Sequence, residues 1–119
     1  MARPAPLRIA VDASGPTVVV TVGGDLDYPC AETLRDTLDD VLRARPGSVT
    51  VDVAGLTFVD STGLAVLLHA WRAGREVSVP VGLCDEPAFL LTILELTGIG
   101  EILARPMHRA SGAPGAATA

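Results

Sequence analysis

Thr17-Val18-Val19-Val20-Thr21-Val22 is the stretch from which the fold of this chain is read. Every side chain in it is β-branched, which suits a pleated backbone and restricts χ1 in a helix. A β-branched run without a clean polar alternation predicts a strand covered on both faces, as in a parallel sheet flanked by helices. Upstream, Leu7, Ile9 and Val11 alternate with Arg8, Ala10 and Asp12, the period of a half-buried strand. The short Ser14-Gly15-Pro16 turn between the two makes them an antiparallel hairpin.

Downstream, Gly23-Gly24 is expected to end the second strand, and Asp25 to Pro29 to form a polar connection. Pro29 suits a first helical turn, where no donor is missed. Ala31, Leu34, Leu38, Val41 and Leu42 then recur at helical spacing, and Pro46-Gly47 stops that helix. Arg35–Asp39 and Asp39–Arg43 are candidate i,i+4 ion pairs on its outer face. Val49, Val51 and Val53 alternate in a third strand. Asp60-Ser61-Thr62-Gly63 precedes a second helix with Leu64, Leu67, Leu68 and Trp71 on its apolar stripe and Gly74 at its end. Val77, Val79, Val81 and Leu83 alternate in a fourth strand, which Pro80 assigns to a sheet edge because proline cannot donate to a ladder. Asp85-Glu86-Pro87 opens a third helix with Phe89, Leu90, Ile93 and Leu94 buried and Gly98 just past its end. Glu101 to Leu103 is read as a further helical turn. The order β-β-α-β-α-β-α predicts an α/β fold: one small domain with a mixed, mostly parallel sheet and helices packed on it. The domain is expected over residues 7–108, with 1–6 an N-terminal extension and 109–119 a flexible tail rich in Ala, Gly, Ser and Pro.

The composition narrows the chemistry. The chain has 119 residues, 49% hydrophobic, enough for one domain with a real core, and only 3% aromatic, so that core is aliphatic. All nine basic residues are arginines, and against fourteen acidic residues they give a net charge of −5. That balance argues against direct nucleic-acid binding, which rests on clustered cations. The absence of lysine excludes a Walker-type phosphate loop and Schiff-base catalysis. Cys30 and Cys84 have no metal-ligand spacing and read as small core residues. The N-terminus lacks a signal-peptide pattern and no apolar run reaches the roughly 20 residues of a membrane span. A cytoplasmic protein with no membrane insertion is therefore expected.

Two acidic segments follow strands, Asp25/Asp27 and Asp60. If the second and third strands are parallel neighbours, these segments lie side by side at the strands' carboxyl ends, where sites gather in open α/β sheets. The plainest reading of Asp60 to Gly63 is a helix cap, and Asp25 and Asp27 read as loop and cap residues. Catalytic readings fail. The local sequence is not the G-x-S-x-G elbow, and His69 lies about 12 Å along the helix from Ser61, too far to serve as its base. Neither His108 nor any regular carboxylate spacing supports a metal or a cofactor. A phosphate acceptor fits better, because a hydroxyl at a helix N-terminus carries a phosphate that the helix N–H groups tolerate. The new charge would change what docks there without unfolding the chain.

At these residues the chain resembles the STAS domain family, and within it the stand-alone anti-sigma factor antagonists. Gly24-Asp25-Leu26-Asp27 is similar to the family's G-[ED]-L-D segment. Leu56 to Leu64, with Asp60-Ser61-Thr62-Gly63 at its heart, is similar to the phosphorylation segment D-S-[ST]-G-L. Leu94 to Ile99 is similar to the closing L-x-x-[ST]-G segment. The resemblance implies partner switching: the unphosphorylated antagonist binds an anti-sigma factor that is also a serine kinase, the kinase phosphorylates it with its own ATP, and a serine phosphatase restores it. It implies that Ser61 is the phosphoacceptor, with Thr62 the second candidate, and that Asp25, Asp27, Asp60, Thr62 and Gly63 form or shape the docking surface. No cofactor, catalytic residue or metal is implied. The alternative on the same fold is a scaffold subunit of a transporter or signalling assembly, where the acceptor hydroxyl is often missing. The chain departs from the family in its apolar third helix, which predicts an exposed Leu91, and in Pro80.

Overall fold

The computed structural model describes residues 5–99. The extra turn at 101–103, His108 and the 109–119 tail lie outside them, as do the first four residues of the extension. The elements run β1 (Arg8–Asp12), β2 (Thr17–Leu26), α1 (Tyr28–Arg43), β3 (Ser48–Val59), α2 (Ser61–Glu76), β4 (Val81–Cys84) and α3 (Ala88–Thr97). They build one four-stranded sheet in the order β1-β2-β3-β4. The β1–β2 hairpin is antiparallel and the β2–β3 and β3–β4 pairs are parallel. This is the small, mixed, mostly parallel α/β domain that the element order predicts.

The core is aliphatic and lies between one face of the sheet and the helices. Val18, Val20, Val22, Val49, Val51, Val53, Val81 and Leu83 meet Leu34, Leu38 and Leu42 of α1, Val66, Leu67 and Ala70 of α2, and Leu90 and Leu94 of α3. The register Val20↔Val51↔Leu83 sets one row of that face. The other face corrects the reading of Thr17–Val22 as covered on both sides. Thr17 and Thr21 are exposed and Val19 only half-buried. Threonine is β-branched but tolerates water, so the run keeps strand propensity while one face stays open.

Further corrections concern boundaries and faces. Gly23-Gly24 does not end β2: the strand continues to Leu26 through register shifts beside both glycines. Val77 and Val79 are not in β4. The helix before them runs to Glu76, Ser78 takes a left-handed φ of 62°, and the strand starts only at Val81. Pro80 therefore stands outside the ladder, although β4 is an edge strand and the Pro80 carbonyl accepts a hydrogen bond from Val49 N at 2.8 Å. Leu68 and Trp71 are half-buried, because the fully buried face of α2 is rotated toward Gly63, Val66, Leu67, Ala70 and Gly74. The cysteines are free and half-buried rather than core. Arg43 pairs with Asp40 instead of Asp39. Asp39 turns to His69 Nε2 on α2, 3.2 Å away.

Candidate functional site

The β2–β3 ladder closes at Leu26↔Val59, so Asp27 and Asp60 leave it side by side, each preceding a helix. This is the juxtaposition expected of two parallel neighbours. Gly63 makes it tight. A Cβ there would lie 2.7 Å from both the Leu26 carbonyl oxygen and Leu26 Cγ and 2.8 Å from Val59 Cγ2. Only glycine lets the first turn of α2 rest on the ends of both strands. Gly63 is buried.

The three carboxylates differ in what they do. Asp60 is the N-cap of α2: its Oδ1 accepts from Gly63 N at 2.9 Å. Its Oδ2 accepts from Tyr28 N, the first amide of α1, also at 2.9 Å. Asp25 is likewise committed to its own chain, Oδ1 accepting from the Thr57 hydroxyl at 2.6 Å and Oδ2 from Ala5 N at 3.1 Å. Asp25 N in turn donates to the Ala5 carbonyl at 3.1 Å. Ala5, within the segment expected as an N-terminal extension, is thus bonded to the strand. Gly24 permits this: at φ 88° its backbone passes so close to Pro6 that a Cβ would sit 2.0 Å from the Pro6 oxygen. Asp27 makes no capping bond with its side chain, and its Oδ1 is buried without a hydrogen-bond partner among the described residues. The Cys30 thiol beside it is pushed up by burial and then by the Asp27 carboxylate.

Ser61 is the first helical residue of α2, exposed, and its hydroxyl has no hydrogen bond among the described residues. The cap that could have been assigned to it belongs to Asp60. Thr62 is half-buried and lines a groove of about 120 Å³ between Tyr28, Ala31, Glu32 and Arg35 of α1 and Thr62, Ala65 and Val66 of α2. Two aromatic residues that the sequence reading passed over stand exposed beside the acidic segments. Tyr28 is 75% exposed and Phe58 49%. Phe58 faces Asp25 across the ladder, and Tyr28 is tied to Asp60. The available signal was their adjacency to the two acidic segments in a chain with so few aromatics. Leu91 is exposed, as expected, at 51%, and Leu96 more so at 82%.

Sequence spacing also missed one cluster of metal-type donors among the described residues: Asp52, Cys84 and Asp85, with ligand atoms within 4.8 Å of one another. Burial and then the charges of Asp52 and Asp85 push the Cys84 thiol up to about 11. No helix of the described residues is long and apolar enough to cross a membrane.

Comparison with known proteins places this geometry. The family model described as "Mlab, STAS domain" matches residues 9–104. An anti-sigma-B factor antagonist of Listeria monocytogenes is 30% identical over 88 residues, covering 71% of this chain and 74% of that protein. An anti-sigma F factor antagonist of Paenibacillus polymyxa is 22% identical over 98 residues, covering 82% and 84%. The crystal structure of an anti-sigma factor antagonist from Mycobacterium paratuberculosis superposes with a TM-score of 0.74 at 22% identity, covering 85% of this chain and 86% of that one. With its hydroxyl at the first turn of α2 and its acidic pair at the ends of two parallel strands, the chain belongs to the STAS domain family, alongside that family's stand-alone anti-sigma factor antagonists.

Proposed function

We propose that this protein is an anti-sigma factor antagonist acting by partner switching in the cytoplasm, and that it performs no catalysis itself. Its unmodified form binds an anti-sigma factor with serine kinase activity. The kinase transfers the γ-phosphoryl group of its own ATP to Ser61 Oγ: the new O–P bond replaces the bond to ADP, and the hydroxyl proton passes to a base of the kinase. A serine phosphatase reverses the step by hydrolysis.

The observation that carries this reading is the Ser61 hydroxyl, exposed and without a hydrogen bond among the described residues, at the start of a helix whose cap is supplied by its neighbour. A kinase can reach it without opening the fold. Tyr28, tied to Asp60, and Phe58, opposite Asp25, supply exposed aromatic surface beside the acidic segments, a residue type enriched at interfaces. A phosphate adds about −1.5 to −2 charges there. That charge opposes docking of an acidic or apolar surface by repulsion and desolvation. Thr62 is less accessible, half-buried against the α1–α2 groove.

The test is titration calorimetry of the unmodified and Ser61-phosphorylated protein against the anti-sigma factor, with mass spectrometry locating the phosphate. Strong binding of the unmodified form only, with phosphate on Ser61, is expected. Equal affinities overturn the switch, and phosphate confined to Thr62 moves the acceptor by one residue.

A further inference from the structure

One carboxylate holds the start of two helices. Asp60 Oδ1 closes the first turn of α2 through Gly63 N, and Oδ2 accepts the first amide of α1 through Tyr28 N, 32 positions away in the chain. An N-cap side chain reaches the second or third amide of its helix and not the first, so Asp27 does not serve Tyr28 N, whose one hydrogen bond among the described residues is to Asp60. The Gly63 bond is local and partly buried, whereas the Tyr28 bond is long-range and exposed.

Ser61 is the next residue. A phosphate on its Oγ brings three strong acceptor oxygens and about −1.5 to −2 charges to a point one residue from this carboxylate. Both anions are drawn to the same positive helix ends, and they repel each other. The weaker-held of the two Asp60 bonds is the exposed one to Tyr28. We propose that Asp60 is the positioning residue of the switch: it fixes Tyr28 relative to Ser61 while Ser61 is unmodified, and a phosphate on Ser61 draws Asp60 away from the Tyr28 amide. Phosphorylation then alters two features of the docking surface at once, the charge at Ser61 and the setting of the exposed Tyr28 ring. This inference rests on Ser61 being the acceptor.

The experiment needs no kinase. Phosphoserine is incorporated at position 61 during translation of the full chain, and amide exchange with water is measured by NMR for Tyr28 and Gly63, with Val20 and Val51 reporting on the fold. Tyr28 is expected to exchange at least about tenfold faster in the phosphoserine protein, as for loss of one charge-assisted hydrogen bond, with Gly63, Val20 and Val51 unchanged. In Asp60→Asn the single remaining side-chain oxygen stays with Gly63. Tyr28 is then already fast, and phosphoserine adds nothing further. Equal Tyr28 exchange in the unmodified and phosphoserine proteins overturns the proposal. So does a phosphate effect at Tyr28 that persists undiminished in Asp60→Asn. If binding is switched by phosphate while Tyr28 is unaffected, the role of Asp60 falls and the partner switch stands. If Tyr28 responds while affinity does not, the reverse holds.

Discussion

Asp25 and Asp60 stand one residue before Leu26 and one residue after Val59, and both spend their two oxygens on their own chain. Their mutational effects should therefore fall on stability before they fall on binding. Asp60→Ala removes a helix cap and a second charge-assisted bond and should cost about 1–2 kcal/mol in denaturant unfolding. Ser61→Ala removes a hydroxyl that bonds nothing described, so its unfolding free energy should lie within about 0.5 kcal/mol of the parent while phosphorylation is abolished. Cys84 gives a pH signature. Its thiol is raised from 9.0 to about 11 in the folded protein, so folding favours the protonated form. That contribution is complete below pH 9 and is lost as pH rises toward 11. Stability measured over this interval should fall more steeply in the parent than in Cys84→Ser. Parallel curves would remove the thiol from the account.

At the scale of the element, α2 carries both core residues and the proposed acceptor, Ser61. Leu67 lies on its fully buried face, so Leu67→Ala should cost about 2–5 kcal/mol, whereas exposed Arg72→Ala should be near neutral. Gly63→Ala forces a methyl group against Leu26 and Val59 and should cost about 1–3 kcal/mol while leaving helix content unchanged by circular dichroism. The helical period was legible because Ala31, Leu34 and Leu38 or Leu64 and Leu67 can share one face of a helix and not of a strand. Which half of that face is buried deepest was less legible, since Leu68 and Ala70 differ by packing against neighbours rather than by their own chemistry. The β4 boundary was misread because Val77 and Val79 alternate like a strand, and only the left-handed backbone at Ser78 separates them from it. The acidic residues and Ser61 were legible from their order along the chain. The division of labour among them was not, because the bonds from Asp60 to Tyr28 and from Asp25 to Thr57 each span 32 positions.

Across the whole molecule, the core lies on one face of the sheet and Ser61 at one end of it, so the proposed switch and the core share little. Ser61→Asp adds a charge at an exposed helix start, where it is tolerated. It should leave the melting temperature within about 5 °C of the parent, roughly 1 kcal/mol for a domain of this size, while weakening anti-sigma factor binding in calorimetry. A large loss of both would mean that the charge disturbs the fold. The bond pair between Ala5 and Asp25 gives this end of the molecule a practical use. Asp25 faces Phe58 across the ladder, so a fluorophore carried by Ala5→Cys would stand beside the exposed Phe58 ring, and its anisotropy should rise when a partner settles there.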